Sequence, residues 1–212
     1  MDSSRHWYQG PIAVYDRFYR LGHGLDREEA AVPPVLRVEA RRCRRRVRLP
    51  DGTGLRSGDR LGVLHLDNSA VATIHANGLS PLIIGFEFRR QFVASLETLA
   101  GLAQPGQRLA AIRAFLAITI FHEGLRRLGF DVDPGGLVLP WLTSAYQRRL
   151  LALLHPRSAP RLHVLAGSRA ERLWISRERL VALYGGHRPR PRAQGSGKQE
   201  SGRPWGSLGS PS

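Results

Sequence analysis

Three groups of side chains in this sequence could do chemistry. His65, Asp67 and Asn68 follow an apolar run, with His75 beyond them. At a spacing of two, His65 and Asp67 share a strand face, so they could exchange a proton or share a ligand. His122 and Glu123 open an apolar-periodic segment, where a carboxylate is favoured by the helix dipole alone. Arg89 and Arg90 stand together in a third apolar segment, and Arg41, Arg42, Arg44, Arg45, Arg46 and Arg48 form the densest charge cluster. The guanidinium is a planar fork suited to phosphate.

Each group also has a plainer reading. A histidine at a strand end is often only hydrogen-bonded at the edge of a core, and the spacing of His65, Asp67 and His75 matches no metal-ligand motif. His122-Glu123 would begin a zinc-protease helix only if a histidine followed at 126, where Arg126 stands. With a single cysteine, Cys43, neither a disulfide framework nor a cysteine-rich zinc site can form within the monomer. The phosphate-binding G-x-x-x-x-G-K-[ST], the dinucleotide G-x-G-x-x-G and the nucleophile elbow G-x-S-x-G do not occur. No cofactor or metal is expected, and no catalytic residue can be named.

The net charge of +15 points to an anionic partner. Yet 31 arginines against the single Lys198, amid much Ala, Gly, Leu and Pro, resemble a coding bias that raises arginine everywhere. The cluster at 41–48 lacks interleaved aromatics that would stack bases, so nucleic acid is not favoured.

The elements that must position these groups follow from periodicity. Tyr15, Phe18 and Leu21 predict a short helix within 8–25, and Pro33-Pro34 ends that section. Leu36, Val38 and Ala40 alternate with Arg37, Glu39 and Arg41 as a strand. The apolar parity then flips to Cys43, Val47 and Leu49, which demands a turn or bulge and places a hairpin tip near Arg42–Arg45. Asp51-Gly52 and Ser57-Gly58-Asp59 are further turn signals, and 61–66 reads as another strand. Residues 69–82 read as a loop. Phe88, Phe92, Leu96 and Leu99 mark one face of a helix that Pro105-Gly106 ends.

The span 107–120 is open between helix and strand. The expectation is an apolar segment, then a helix capped by Thr119 that turns Phe121, Leu125 and Leu128 to the core. Gly129 stops it with Phe130 packing back, and 130–132 leaves as a short strand. A helix over 141–154, a strand at 162–165 and another at 173–175 follow. Ser176 caps a last helix that Gly185-Gly186 closes. From 187 on, the basic, polar segment offers too little apolar surface to order itself.

The reading is one α+β domain over 1–186, with an N-terminal β-hairpin section packed with several amphipathic helices, and a disordered basic tail over 187–212. No secretory leader is visible. The longest apolar stretch, 109–121, has 13 residues and holds Arg113, whereas a membrane span needs roughly 20. The cytoplasm is the expected compartment, with contact at the inner face of the membrane left open.

The order of several short motifs is similar to the YkoP-like family, an uncharacterised bacterial family. They are L-P-D-G-T at 49–53, G-D-R-L at 58–61, L-H-L-D-N at 64–68, S-L-E-T-L-A at 95–100, T-I-F-H-E-G-L-R-R-L-G-F-D-V at 119–132 and R-L-W-I-S-R-E-R-L-V-A-L-Y-G at 172–185. The resemblance implies a domain that stands alone or is attached to polysaccharide deacetylases, in settings of cell envelope glycan and lipid-linked sugar metabolism. It implies no catalytic residues. His65, Asn68, Thr119 and Gly124 match positions of its recurring pattern. The chain departs from it in the arginine-rich hairpin and basic tail. It also lacks the paired aspartate and H-x-x-x-H metal site of deacetylation, so it is not itself a deacetylase of that type.

The expected function is therefore an accessory or ligand-binding domain for an anionic small molecule or lipid-linked sugar, with envelope-glycan enzymes as expected partners. Its ligand candidates are His65, Asp67, Asn68, Arg89, Arg90 and His122. One alternative is a hydrolase or transferase using His65, Asp67 and His122; another is non-specific nucleic-acid binding.

Overall fold

Alternation in two seven-residue segments builds the centre of a mixed sheet. The computed structural model describes residues 28–76, 80–133, 135, 144, 147 and 169–186. The segments expected over 8–25, 141–154 and 162–165, and the tail from 187, lie outside the described residues apart from Ser144 and Gln147. After a 3-10 turn at Glu28–Ala30 come β1 (Ala31–Val32), β2 (Leu36–Arg42), β3 (Val47–Arg48), β4 (Gly54–Leu55) and β5 (Arg60–Leu66). Then follow α1 (Asn68–Ala76), α2 (Pro81–Leu102), β6 (Ile112–Thr119), α3 (His122–Arg126), β7 (Asp131–Val132), β8 (Glu171–Ser176) and α4 (Arg177–Tyr184). Six strands form one sheet in the order β1-β2-β5-β6-β8-β7, and β3-β4 form a separate two-stranded flap. The mixed α+β class is as expected.

The β5–β6 pair is parallel, and the other neighbours in the main sheet are antiparallel. The parallel pair requires a crossover, which α1 and α2 supply. Leu36, Val38 and Leu64 lie on one face with Phe115, Ala117, Leu173 and Ile175, and α2 covers them with Phe92, Leu96 and Leu99. Leu180 of α4 joins the same core. Gly62 is required here: a Cβ would come 2.5 Å from the Phe115 ring and 2.9 Å from Val38.

The opposite face is covered near the start of β5 by the flap. Cys43, Leu49 and Leu55 are buried there with Leu61, Ala114 and Trp174. One extra residue in β6, between Ile112 and Ala114, puts these two on different faces and turns Arg113 outward, with Nη1 3.5 Å from an Asp59 oxygen.

Three expectations need correction, and one open alternative is resolved. The hairpin tip is not at Arg42–Arg45. β2 runs to Arg42, and Cys43 donates to the Asp59 carbonyl while Gly58 donates back, closing the neck of the flap. The tip is Asp51-Gly52, where the Asp51 carboxylate accepts from Thr53 N–H at 2.9 Å and Gly52 has φ 87°. Residues 69–82 are not a loop, because α1 fills 68–76 and α2 starts at Pro81. The span 107–120, open between helix and strand in the sequence, resolves as β6, since the β-branched Ile112, Ile118 and Thr119 sit in a central strand bonded on both sides. Thr119 caps no helix: its hydroxyl accepts from Phe121 N–H, and Phe121 is exposed rather than in the core.

Other features agree with the pattern. Gly129 takes φ 90° and Phe130 is buried. The Ser176 hydroxyl accepts from Arg179 N–H at the start of α4. Gly185 ends α4 at φ −75°, without the left-handed turn common at that position.

Candidate functional site

The candidate residues fall into three places. The first is the sheet face opposite α2, at the end where β5 stops. Arg37 stands directly across from His65 in the β2–β5 ladder, and Glu39 is two residues along on the same side. His65 Nε2 lies 3.3 Å from a Glu39 oxygen, and Arg37 Nε donates to Asp67 Oδ2 at 2.7 Å. Arg41 Nε also donates to Glu39, at 2.7 Å. The four side chains Arg37, Glu39, His65 and Asp67 are 12–18% exposed, so they form a half-buried polar row that keeps some access to water.

His65 and Asp67 are therefore near neighbours with different partners. Asp67 also caps α1: its Oδ1 accepts from Ser69 N–H at 3.1 Å, from Ala70 N–H at 3.3 Å and from the Ser69 hydroxyl. Burial pushes the Asp67 carboxyl up, but these bonds and the Arg37 guanidinium outweigh it and hold the group below the usual carboxylate range. It is an ionised structural carboxylate. Asn68 is the first residue of α1, half-buried. The spacing pointed to His65 and Asp67 but missed Glu39 and Arg37. Their signal was present as the polar positions of β2, but strand pairing was needed to bring them to His65.

The second place holds His122, at the start of α3. Its Nδ1 lies 3.6 Å from Glu123 Oε1 and 3.6 Å from Glu171 Oε2. Glu171 pairs with Thr119 and alternates with Leu173 and Ile175, so it belongs to the α2-covered face of the sheet. His65 alternates with Leu61 on the other face. His122 thus sits at the same end of the sheet as His65 but joins a carboxylate of the opposite face. Gln147 braces this end, accepting from Ile120 N–H at 2.8 Å and donating to the Ile118 carbonyl at 2.7 Å.

The third place is the outer side of α2. Leu82, Ile83 and Phe86 are 62%, 50% and 66% exposed, an apolar display that a solvated helix face does not need. Just beyond them, Phe86, Arg89, Arg90, Val93, Ala94 and Glu97 line a shallow, open groove. Arg90 is already engaged by Glu87 through two bonds, of 2.6 and 2.9 Å. Bonds from Arg90 and Gln91 pull the Glu87 carboxyl down to about 2. Arg89 makes no ion pair among the described residues, and so is the cation in this groove most open to a ligand. Among the described residues no group of three or more His, Cys, Asp or Glu could hold a metal ion, and no helix is long and apolar enough to cross a membrane.

These features define an α+β domain with a half-buried polar row on one sheet face and an apolar, arginine-bearing helix over the other. A family model described as the YkoP domain matches residues 7–184, and the chain belongs to that family. No curated protein and no solved structure matches the chain.

Proposed function

We propose that this domain is an accessory binding module for an anionic amphiphile, a phosphate carried on an apolar chain such as a lipid-linked sugar. The observation that carries this reading is the outer side of α2. Three large apolar side chains are exposed on its first turns, and Arg89 follows within one turn of Phe86. Removing such side chains from water favours an apolar ligand by roughly 1.5–3 kcal/mol each when burial is complete. A guanidinium with no ion pair offers a planar fork to phosphate. A nucleotide-linked sugar would meet the arginine but leave the apolar residues in water, so the lipid-linked form fits better. The resemblance to domains attached to polysaccharide deacetylases supports a setting in envelope glycan metabolism, at the inner face of the membrane.

The test is flotation of the full chain with neutral vesicles carrying a polyprenyl phosphate, with vesicles carrying the uncharged polyprenol as control. Binding to the phosphate form should be lost in Phe86→Ser and weakened about tenfold or more in Arg89→Gln, as expected for a charge-assisted bond. Equal binding to polyprenol and its phosphate would sink the reading.

A second reading rests on the His65–Glu39 contact. A histidine 3.3 Å from a carboxylate, with Arg37 directly across the ladder, is an arrangement that could move a proton. As a hydrolase or transferase, the domain would use His65 with Glu39 as its partner, with Asp67 holding Arg37 and His122 standing apart. A pH–rate profile unchanged by Glu39→Gln would exclude it.

A further inference from the structure

The arginine cluster is organised by the fold in a way that a random excess of arginine would not be. The underside of the flap is apolar and buried through Cys43, Leu49 and Leu55. Its tip is closed by its own turn: the Asp51 carboxylate accepts from Thr53 N–H at 2.9 Å, and Leu49 N–H donates to the Thr53 carbonyl at 2.9 Å. At the side, Arg45 Nη2 lies 3.9 Å from Asp133, which Arg172 also holds at 3.1 Å. The outward side is then left to arginine: Arg44, Arg46, Arg48 and Arg56 are all exposed. Among the described residues, these four make no ion pair. The nearby carboxylates Asp51 and Asp59 are already engaged, Asp59 by Arg56 N–H at 2.7 Å and by Arg113.

We propose that the outer side of the flap binds the phosphate backbone of double-stranded nucleic acid without reading its sequence. No exposed large apolar side chain lies among residues 40–60, so the surface has nothing to insert into a bilayer. It has no aromatic side chain on which an unpaired base could stack. What it offers is a set of exposed guanidinium groups on a flap whose underside is buried, which suits the closely spaced phosphates of a duplex. The flap lies on the sheet face opposite α2, so this surface is separate from the Phe86–Arg89 groove and does not depend on it.

The test is fluorescence anisotropy of the full chain with a 20-base-pair duplex of arbitrary sequence across a salt series. With four unpaired arginines on the flap, log K should carry a salt slope of roughly −3.6 from this surface. In the variant R44Q/R46Q/R48Q/R56Q the slope should become shallower by about that much and binding at low salt should weaken by roughly tenfold or more. A control variant, R188Q/R190Q/R192Q, separates the flap from the basic tail. A slope unchanged in the flap variant, binding abolished by the tail changes alone, or equal uptake on anionic vesicles in place of the duplex would each overturn the proposal.

Discussion

Replacing Asp67 separates its role in the fold from any role in chemistry. The carboxylate does two jobs: one oxygen caps α1 and the other accepts from Arg37 at 2.7 Å. Losing an aspartate cap costs about 1 kcal/mol. The ion pair is half-buried, so its loss falls between the ~0–1 kcal/mol of an exposed pair and the roughly 3–5 kcal/mol of breaking a buried one, at about 1–2 kcal/mol. Asp67→Ala should therefore lose about 2–3 kcal/mol, and Asp67→Asn, which keeps a capping oxygen, only about 1–2 kcal/mol. For a domain of this size that is a fall in Tm of roughly 4–12 °C for alanine and about half that for asparagine. The folded carboxyl sits below its usual value of 3.8, so its charge stabilises the fold above that pH, and the benefit is lost as pH falls through the lower folded value. The gap between wild type and Asp67→Asn should accordingly close in strong acid. Urea melts of the three proteins at neutral and acidic pH are the assay. Equal stability of wild type and Asp67→Ala, or equal losses for Ala and Asn, would refute the two-job account.

Three further outcomes follow from the packing and the groove. Gly62→Ala should destabilise by about 1–3 kcal/mol in chemical denaturation, because the new Cβ meets the Phe115 ring and Val38 with no room on either side. Ser95→Ala should cost about 1–3 kcal/mol, read from the Tm, since it leaves the buried Val35 N–H without the hydroxyl it reaches at 2.9 Å. Glu87→Gln should release Arg90 and tighten binding of a polyprenyl phosphate, whereas unchanged or weaker binding would place the phosphate away from this helix.

Patterns confined to one element were legible. The alternation of β2 and β5, the Phe92–Leu96–Leu99 face of α2 and the Ser176 cap all depend on neighbours in sequence. What escaped needed partners far along the chain. α1 was invisible because its apolar face is only Val71 and Ile74 and it mixes in Val, Thr and Ser, which are poor helix formers. Asp67 was read as a possible proton carrier because its capping bonds appear only once α1 exists. Glu39 and Arg37 came to His65 through the β2–β5 register, which no local pattern encodes. The basic run looked like a solvated tip because Leu49 and Leu55, its buried underside, meet Trp174 more than a hundred residues away.

The central claim, that this domain holds an anionic amphiphile, is tested most directly by native mass spectrometry of the protein purified gently from its own source. The account predicts an adduct that fragments to a phosphate-bearing apolar chain and disappears in Arg89→Gln. A clean protein mass, or an adduct that is a nucleotide or metal and survives Arg89→Gln, would contradict it.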